Sequence, residues 1–392
     1  MKMLILGYLR ILAKLQLAKI KPQHIIGITG SAGKSTCREM VYAVLSIKYK
    51  CKQSATGNSE SGIPLDILEL KMENYSAFDW LRVCLLAPWQ LLTNWQKYEI
   101  YIVEMAVDSP KEPKNMSYLL KIVKPDIAII LNILPVHTEF FDTLENIANE
   151  KFKLIASLPS NGWGLVNKDD PLLVELTQKS KQKNIHFFGR SEKIDLKNYL
   201  WHEGLAYVIS AALKVGELLE ININEAKKAL QKVNLPKGRI SIIPGIRKTI
   251  LIDSSYNSSP GPLAFMLRAV YEQYSTNRRI AVLGDMRELG EKAMAEHKKA
   301  GELALKTMDY IFTVGALTEK YFPNDPHIQK FTHAKDVIPV LKDFIKKGDV
   351  ILFKGSQNTI FLEQIVEALM LNQNDADKLL CRRGKFWDKK RE

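Results

Sequence analysis

Residues 27–36 read Gly-Ile-Thr-Gly-Ser-Ala-Gly-Lys-Ser-Thr, and these residue types at this spacing are suited to holding a chain of phosphates. Thr29, Gly30, Ser31, Gly33, Lys34, Ser35 and Thr36 make a glycine-rich turn between the apolar run 25–28 and a helix that starts near Ser35. Glycine reaches positive φ and lets backbone N–H groups crowd around an anion, while the helix that follows adds the positive end of its dipole. Lys34 offers a point charge to the β and γ phosphates, and the Ser35 hydroxyl can ligate Mg²⁺. Gly27 lies one residue too early for the strict G-x-x-x-x-G-K-[ST] pattern, so the stretch reads as a variant phosphate loop.

Two further apolar runs end in polar groups. Residues 99–104 end in Glu104, and residues 126–132 end in Asn132, with His137 shortly after. Near-continuous apolar runs are expected of parallel strands buried on both faces, and ligands of such sheets bind beyond the carboxyl ends of the strands. The loop, Glu104 and His137 are therefore expected to converge on one crevice. A histidine after a strand also reads as a hydrogen-bonded loop residue; its position at the third strand end favours a metal ligand. Residues 142–145, Asp-Thr-Leu-Glu, read as a capping box opening a helix to about residue 158. Lys151 falls on that helix's inward stripe, where it either snorkels along the rim or points into the crevice.

These residues need a scaffold, and the sequence predicts two. Apolar strands alternate with helices up to about residue 234. A second unit begins near 235–239, with strands at 249–253, 279–283, 310–314 and 350–353 and helices near 261–274, 294–307, 334–346 and 360–370. The expected class is α/β: a central P-loop domain with a mainly parallel sheet, then a Rossmann-like C-terminal domain. The expected boundaries are a basic amphipathic helix over 1–22, the central domain over 23–235, the C-terminal domain over 236–372 and a loosely attached basic tail over 373–392.

A length of 392 residues fits two or three domains, and a net charge of +13 favours anionic ligands or surfaces. Neither a zinc spacing nor an aromatic-rich RNA signature accompanies that charge, so nucleic acid is not an expected partner. Cys37, Cys51, Cys84 and Cys381 form no C-x-x-C pair, which points to reduced thiols in the cytoplasm. Residues 1–20 lack the apolar run of roughly 18 needed to span a bilayer. They read as a basic helix that docks on the protein's own domain or lies at an anionic membrane face. Trp80, Trp89 and Trp95 read as helix packing; because Pro88 is expected to break that helix, a membrane or partner contact is also open there.

Taken together, the motifs resemble the Mur ligase family, the ATP-dependent amide-forming enzymes of peptidoglycan synthesis. The resemblance runs in family order from about residue 24 to 370. It covers the phosphate loop, Thr56-Gly-Asn58, Glu104-Met-Ala106, Asn132 with His137, Asn146 with Lys151, Asn167-Lys-Asp-Asp170 and Gly238-Arg239. It continues through the 253–260 stretch Asp-Ser-Ser-Tyr-Asn-Ser-Ser-Pro, the 283–290 stretch and Lys354-Gly-Ser356.

The resemblance implies ATP bound between the two domains and two Mg²⁺ ions. Lys34 would bind phosphates, Ser35 and Glu104 would hold one ion, and His137 a second, beside a carbamylated Lys151. Arg239 would approach the γ-phosphate; Asn167, Asp253 and Asn257 would contact the nucleotide; Asn58, Lys354 and Ser356 would face substrate. The implied reaction activates the carboxylate of a cell-wall peptide precursor as an acyl phosphate, which the amine of an incoming amino acid or dipeptide such as D-alanyl-D-alanine then attacks.

The chain departs from the family pattern in several places. Only about 24 residues precede the loop, so the separate uridine-nucleotide domain is expected to be absent, with a protein partner or a lipid-linked acceptor in its place. Residues 170–212 are short, and His202 is a poor remnant of the element near the base. Ser254 replaces an aspartate, and Gln357 replaces an arginine. Alternative activities are ligation to another carboxylate, such as folate or polyglutamate, and a nucleotide-binding subunit that acts by association. The expected location is the cytoplasm, with a place at the inner face of the membrane left open as an alternative.

Overall fold

The computed structural model describes residues 2–54, 57–135, 138–356 and 359–391. The chain divides into two compact units. The first comprises Met1–Leu134, Phe140–Ile194 and Leu205–Val233; the second comprises Pro135–Glu139, Asp195–Gly204 and Asn234–Glu392.

Six strands form the first unit's sheet: β1 (His24–Thr29), β2 (Cys51–Gln53), β3 (Ile100–Glu104), β4 (Ile127–Ile130), β5 (Trp163–Asn167) and β6 (Ile185–Phe188). All pairings are parallel, in the order β2-β3-β1-β4-β5-β6. β1 thus lies between β3 and β4, with Ile28 opposite Glu104, and that register brings the three strand ends together. Strands β1, β3 and β4 match the apolar runs of the sequence; β2 and β6 are short and half-buried, too weakly patterned to stand out.

The helix Leu144–Ala156 begins one residue later than the capping box suggested. Asp142 sits at φ 60°, and the cap is Thr143, whose Oγ1 accepts from the Asn146 N–H.

The helix Lys2–Ile20 docks on its own unit, burying Leu6, Leu9, Ala13 and Leu17 in the hydrophobic core. Beside it, the helix Ala77–Thr93 runs unbroken through Pro88. Proline has no N–H to give to the carbonyl four residues back. That carbonyl, on Cys84, accepts instead from the Tyr8 hydroxyl at 3.1 Å, so a neighbouring helix supplies the missing bond and the expected break does not occur.

The second sheet contains β7 (Ser241–Pro244), β8 (Ile250–Asp253), β9 (Arg279–Gly284), β10 (Tyr310–Val314), β11 (Ile328–Phe331) and β12 (Val350–Lys354). Its order is β11-β10-β9-β12-β8-β7, parallel except for the β7–β8 pair. β8, β9, β10 and β12 are the four strands read from the sequence. β11 is a short edge strand, and β7 turns back antiparallel.

The tail is anchored. Arg382 is buried and pairs with Glu363 at 2.8 Å, while its guanidinium donates to the Ser255 and Tyr256 carbonyls. The expectation of a loosely attached tail rested on its charge; one of those charges has a buried carboxylate to meet.

Candidate active site

The phosphate loop joins β1 to the helix Lys34–Leu45. Gly30 and Gly33 have φ 149° and 83°, so both turns of the loop use backbone that L side chains rarely adopt. A Cβ on Gly30 would also lie 3.0 Å from that of Leu131. The loop is pinned by Asn132. Its Oδ1 accepts from the Ala32 N–H at 2.9 Å, its Nδ2 donates to the Ala32 carbonyl at 3.2 Å, and its own carbonyl accepts from the Ser31 N–H. Ser31 Oγ and the Leu134 N–H add a further tie at 2.9 Å.

Lys34 donates to the Gly30 carbonyl at 2.9 Å. One residue on, Ser35 Oγ donates to Glu104 Oε2 at 2.8 Å across the β1–β3 junction. Glu104 is buried; its Oε1 accepts from Asn58 Nδ2 at 3.0 Å, and the Arg38 guanidinium lies 3.7 Å from Oε2. The structure thus gathers Lys34, Ser35, Glu104 and Asn58 in one cluster and adds Arg38, which sequence reasoning missed. The available signal was spacing, since Arg38 is one helical turn beyond Lys34 and shares its face. Thr29 is held by the Met105 carbonyl, and Thr36 is buried in the helix's first turn.

Lys151 is buried, and burial first, then the charge of Lys34, push its pKa down to about 7, against the opposing pull of Asp108 and Glu150. The inward lysine therefore does not snorkel. The lowered pKa makes its cation easier to convert to the uncharged, nucleophilic amine than that of an exposed lysine. At the end of β5, Asn167 spends its amide on the scaffold: Nδ2 donates to the Leu131 carbonyl, and Oδ1 accepts from the Asp169 N–H. His137, Thr56 and Gln357 lie outside the described residues.

Ser35 and Glu104 present hard oxygen donors at the mouth of a phosphate-type loop. That donor set suits Mg²⁺, which takes one or two protein ligands and completes its shell with phosphate oxygens and water. Among the described residues no group of three or more His, Cys, Asp or Glu side chains could hold a metal by itself.

The second unit has its own buried cluster. Lys354, at the end of β12, donates to the Asn257 carbonyl at 2.9 Å and to Ser254 Oγ at 3.3 Å. Burial and the charge of Arg239 press its pKa to about 7, with Asp253 opposing. Asp253 is fully buried and pushed up by desolvation, though its Oδ1 accepts from the Ser255 N–H. The Arg239 guanidinium lies 4.5 Å above the Tyr256 ring.

Asn257 uses its Oδ1 on the Ser258 N–H, and Ser356 Oγ accepts from the Arg287 N–H, so both side chains are engaged in shaping their loops. His202 belongs to this second unit rather than to the central domain where the sequence grouped it. Half-buried, with its ring stacked 6.3 Å from that of Phe265, it is held neutral: desolvation first, then the charge of Lys354, push its pKa down to about 3.

Residues 28–224 match the Mur ligase middle domain, and residues 238–357 match the Mur ligase glutamate ligase domain. The chain belongs to the Mur ligase family. It is an ATP-dependent ligase of that family. It is 27% identical over 389 residues to the UDP-N-acetylmuramoyl-tripeptide–D-alanyl-D-alanine ligase of Bacillus subtilis, covering 91% of this chain and 78% of the relative.

Among solved Mur ligases, MurF from Thermotoga maritima in complex with ADP has a TM-score of 0.76 at 25% identity, over 94% of this chain and 84% of that one. MurF from Acinetobacter baumannii has a TM-score of 0.77 at 22% identity, over 93% and 81%. The α/β architecture of both units is that of the family.

Proposed function

We propose that this Mur ligase joins the carboxylate of a cell-wall peptide precursor to the amine of D-alanyl-D-alanine, using ATP and Mg²⁺. The observation that carries the reading is the Ser35–Glu104 pair beside Lys34 at the strand ends, in a chain similar over nine-tenths of its length to a D-alanyl-D-alanine-adding ligase. The acceptor carboxylate attacks the γ-phosphorus of ATP, forming a C–O–P acyl phosphate and releasing ADP. The amine then attacks the acyl carbon, forming the amide, expelling phosphate and losing a proton.

In this reading Lys34 and the loop N–H groups of Gly30 and Gly33 neutralise the transferring phosphoryl oxygens, while the Ser31 N–H stays on the Asn132 carbonyl and holds the loop's shape. Ser35 and Glu104 hold Mg²⁺, which when bound supplies Lewis-acid charge to those oxygens, and His137 is assigned to a second ion. Lys151, with its lowered pKa, has the neutral amine that adds to CO₂, forming an N–C bond and releasing a proton to leave a carbamate anion. Arg239 is assigned to the γ-phosphate. Asn167, Asp253 and Asn257 are assigned to the nucleotide side, and Asn58, Lys354 and Ser356 to substrate. The basic helix Lys2–Ile20 offers peripheral contact with an anionic membrane face.

The test is ADP production over a substrate panel. UDP-N-acetylmuramoyl-tripeptide with D-alanyl-D-alanine should release ADP and yield the pentapeptide by mass. ADP release only with a folate or glutamyl carboxylate, or with no acceptor at all, would reject the substrate assignment.

A further inference from the structure

Two neighbouring helices of the first unit, Lys2–Ile20 and Ala77–Thr93, run in parallel. Tyr8 bonds the Cys84 carbonyl, Lys19 the Leu91 carbonyl and Gln16 the Asn94 carbonyl, so the two advance together. Each buries one face and leaves the opposite face apolar and open.

On Ala77–Thr93 that face carries Phe78, Leu81, Leu85, Trp89 and Leu92, at steps of three or four residues, with Leu85 70% and Trp89 64% exposed. On Lys2–Ile20 it carries Leu4, Tyr8, Ile11 and Leu15 at the same steps. Tyr8 is on this open stripe and reaches across to Cys84, so it marks the seam where the two stripes join. Isolated exposed leucines need no explanation, but two adjoining stripes of large apolar side chains do.

The charges around the stripes are of one sign. The two helices carry Arg10, Lys14, Lys19 and Arg82 against a single acid, Asp79, which pairs with Arg82 at 3.5 Å and leaves Arg10, Lys14 and Lys19 as the cations in excess. The Asp79 carboxylate is buried and occupied by the Asn74 and Ser76 N–H groups as a helix cap. Trp95, 69% exposed just past the second helix, carries the Lys19 ammonium 4.4 Å from its ring centroid. Leucines on one face, tryptophan at its border and lysines beside it are the composition of surfaces that lie in a lipid interface. No helix among the described residues is long and apolar enough to cross a membrane, so the surface would lie on the bilayer. A second copy of the same face would bring like charges together, whereas anionic headgroups complement them.

We propose that these two helices form one platform that seats the protein on an anionic lipid bilayer. The platform deepens the membrane contact included in the functional reading and stands apart from the ligase chemistry.

The full chain is sedimented with vesicles containing phosphatidylglycerol and with vesicles of phosphatidylcholine alone. Binding to the anionic vesicles should be at least about tenfold tighter, and should weaken as salt is raised. Leu85→Glu and Trp89→Glu should each weaken it by about tenfold or more, with melting temperature and ADP release on soluble substrates unchanged. Equal binding to both vesicle types, no binding, or variants that bind like the parent would overturn the platform. A dimer in light scattering that Trp89→Glu dissociates, without vesicle binding, would assign the face to a second copy instead and likewise overturn it. ADP release reports on the ligase reading independently of every one of these outcomes.

Discussion

Ser35 Oγ lies 2.8 Å from Glu104 Oε2, although 69 residues separate the two in sequence. The parallel pairing of β1 with β3 sets Ile28 opposite Glu104 and delivers the carboxylate to the first turn of the helix that follows the loop. Replacing Glu104 with Gln keeps the shape and removes the charge. ADP release should fall by about 100-fold or more, the cost of losing a charged group at a phosphoryl-transfer centre. EDTA should abolish release by the parent, and added Mg²⁺ should restore it.

Lys34→Ala should reduce ADP release by at least about 100-fold. The half-buried side chain donates to the Gly30 and Ser31 carbonyls of its own loop, so loss of ADP release with the melting transition retained places Lys34 in the chemistry rather than in the fold. Parallel calorimetry and coupled-assay measurements check this; turnover at the parent's rate would remove Lys34 from the chemistry.

The buried amine of Lys151 makes stability depend on pH with a definite sign. An unfolded lysine keeps its proton to about pH 10.4, whereas burial holds folded Lys151 to about 7. Below pH 7 both states are protonated, and the folded state bears the full cost of a buried cation. Between pH 7 and 10 the unfolded state binds more protons, so stability rises with pH. Lys151→Met should therefore be more stable than the parent at pH 6.5 in CO₂-free buffer, by an amount on the order of a few kcal/mol. That advantage should shrink steadily towards pH 10 in denaturant titrations. A gap independent of pH would contradict the buried-amine assignment.

Arg382→Met removes one partner of the buried pair with Glu363, whose carboxyl is already pushed up by desolvation. Stranding that carboxylate should cost about 3–5 kcal/mol. Adding Glu363→Gln to the same chain should recover much of the loss, which a double-mutant cycle of unfolding free energies would show.

Asn132→Leu should loosen the phosphate loop, because three hydrogen bonds involve Asn132 and two of them use its side chain. Each lost bond is worth about 1 kcal/mol. Nucleotide affinity measured by calorimetry should weaken by about tenfold or more, with the strand scaffold intact by circular dichroism.

The sequence by itself determined the glycine turn, the apolar runs of β1, β3 and β4, four strands of the second sheet and the inward stripe that carries Lys151. Each is written in local spacing: glycine where φ must be positive, unbroken apolar runs where a strand is buried on both faces, and a 3.6-residue period where a helix packs. Tertiary structure decided the partners of buried polar groups.

Arg38 reaches Glu104, Asn132 pins Ala32, Tyr8 replaces the N–H that Pro88 lacks, and Arg382 draws the tail onto the Ser255–Tyr256 loop. None of these pairings has a period or a spacing. Each exists because strand register and helix packing bring distant donors and acceptors together, and a buried polar atom must be bonded to something once water is gone.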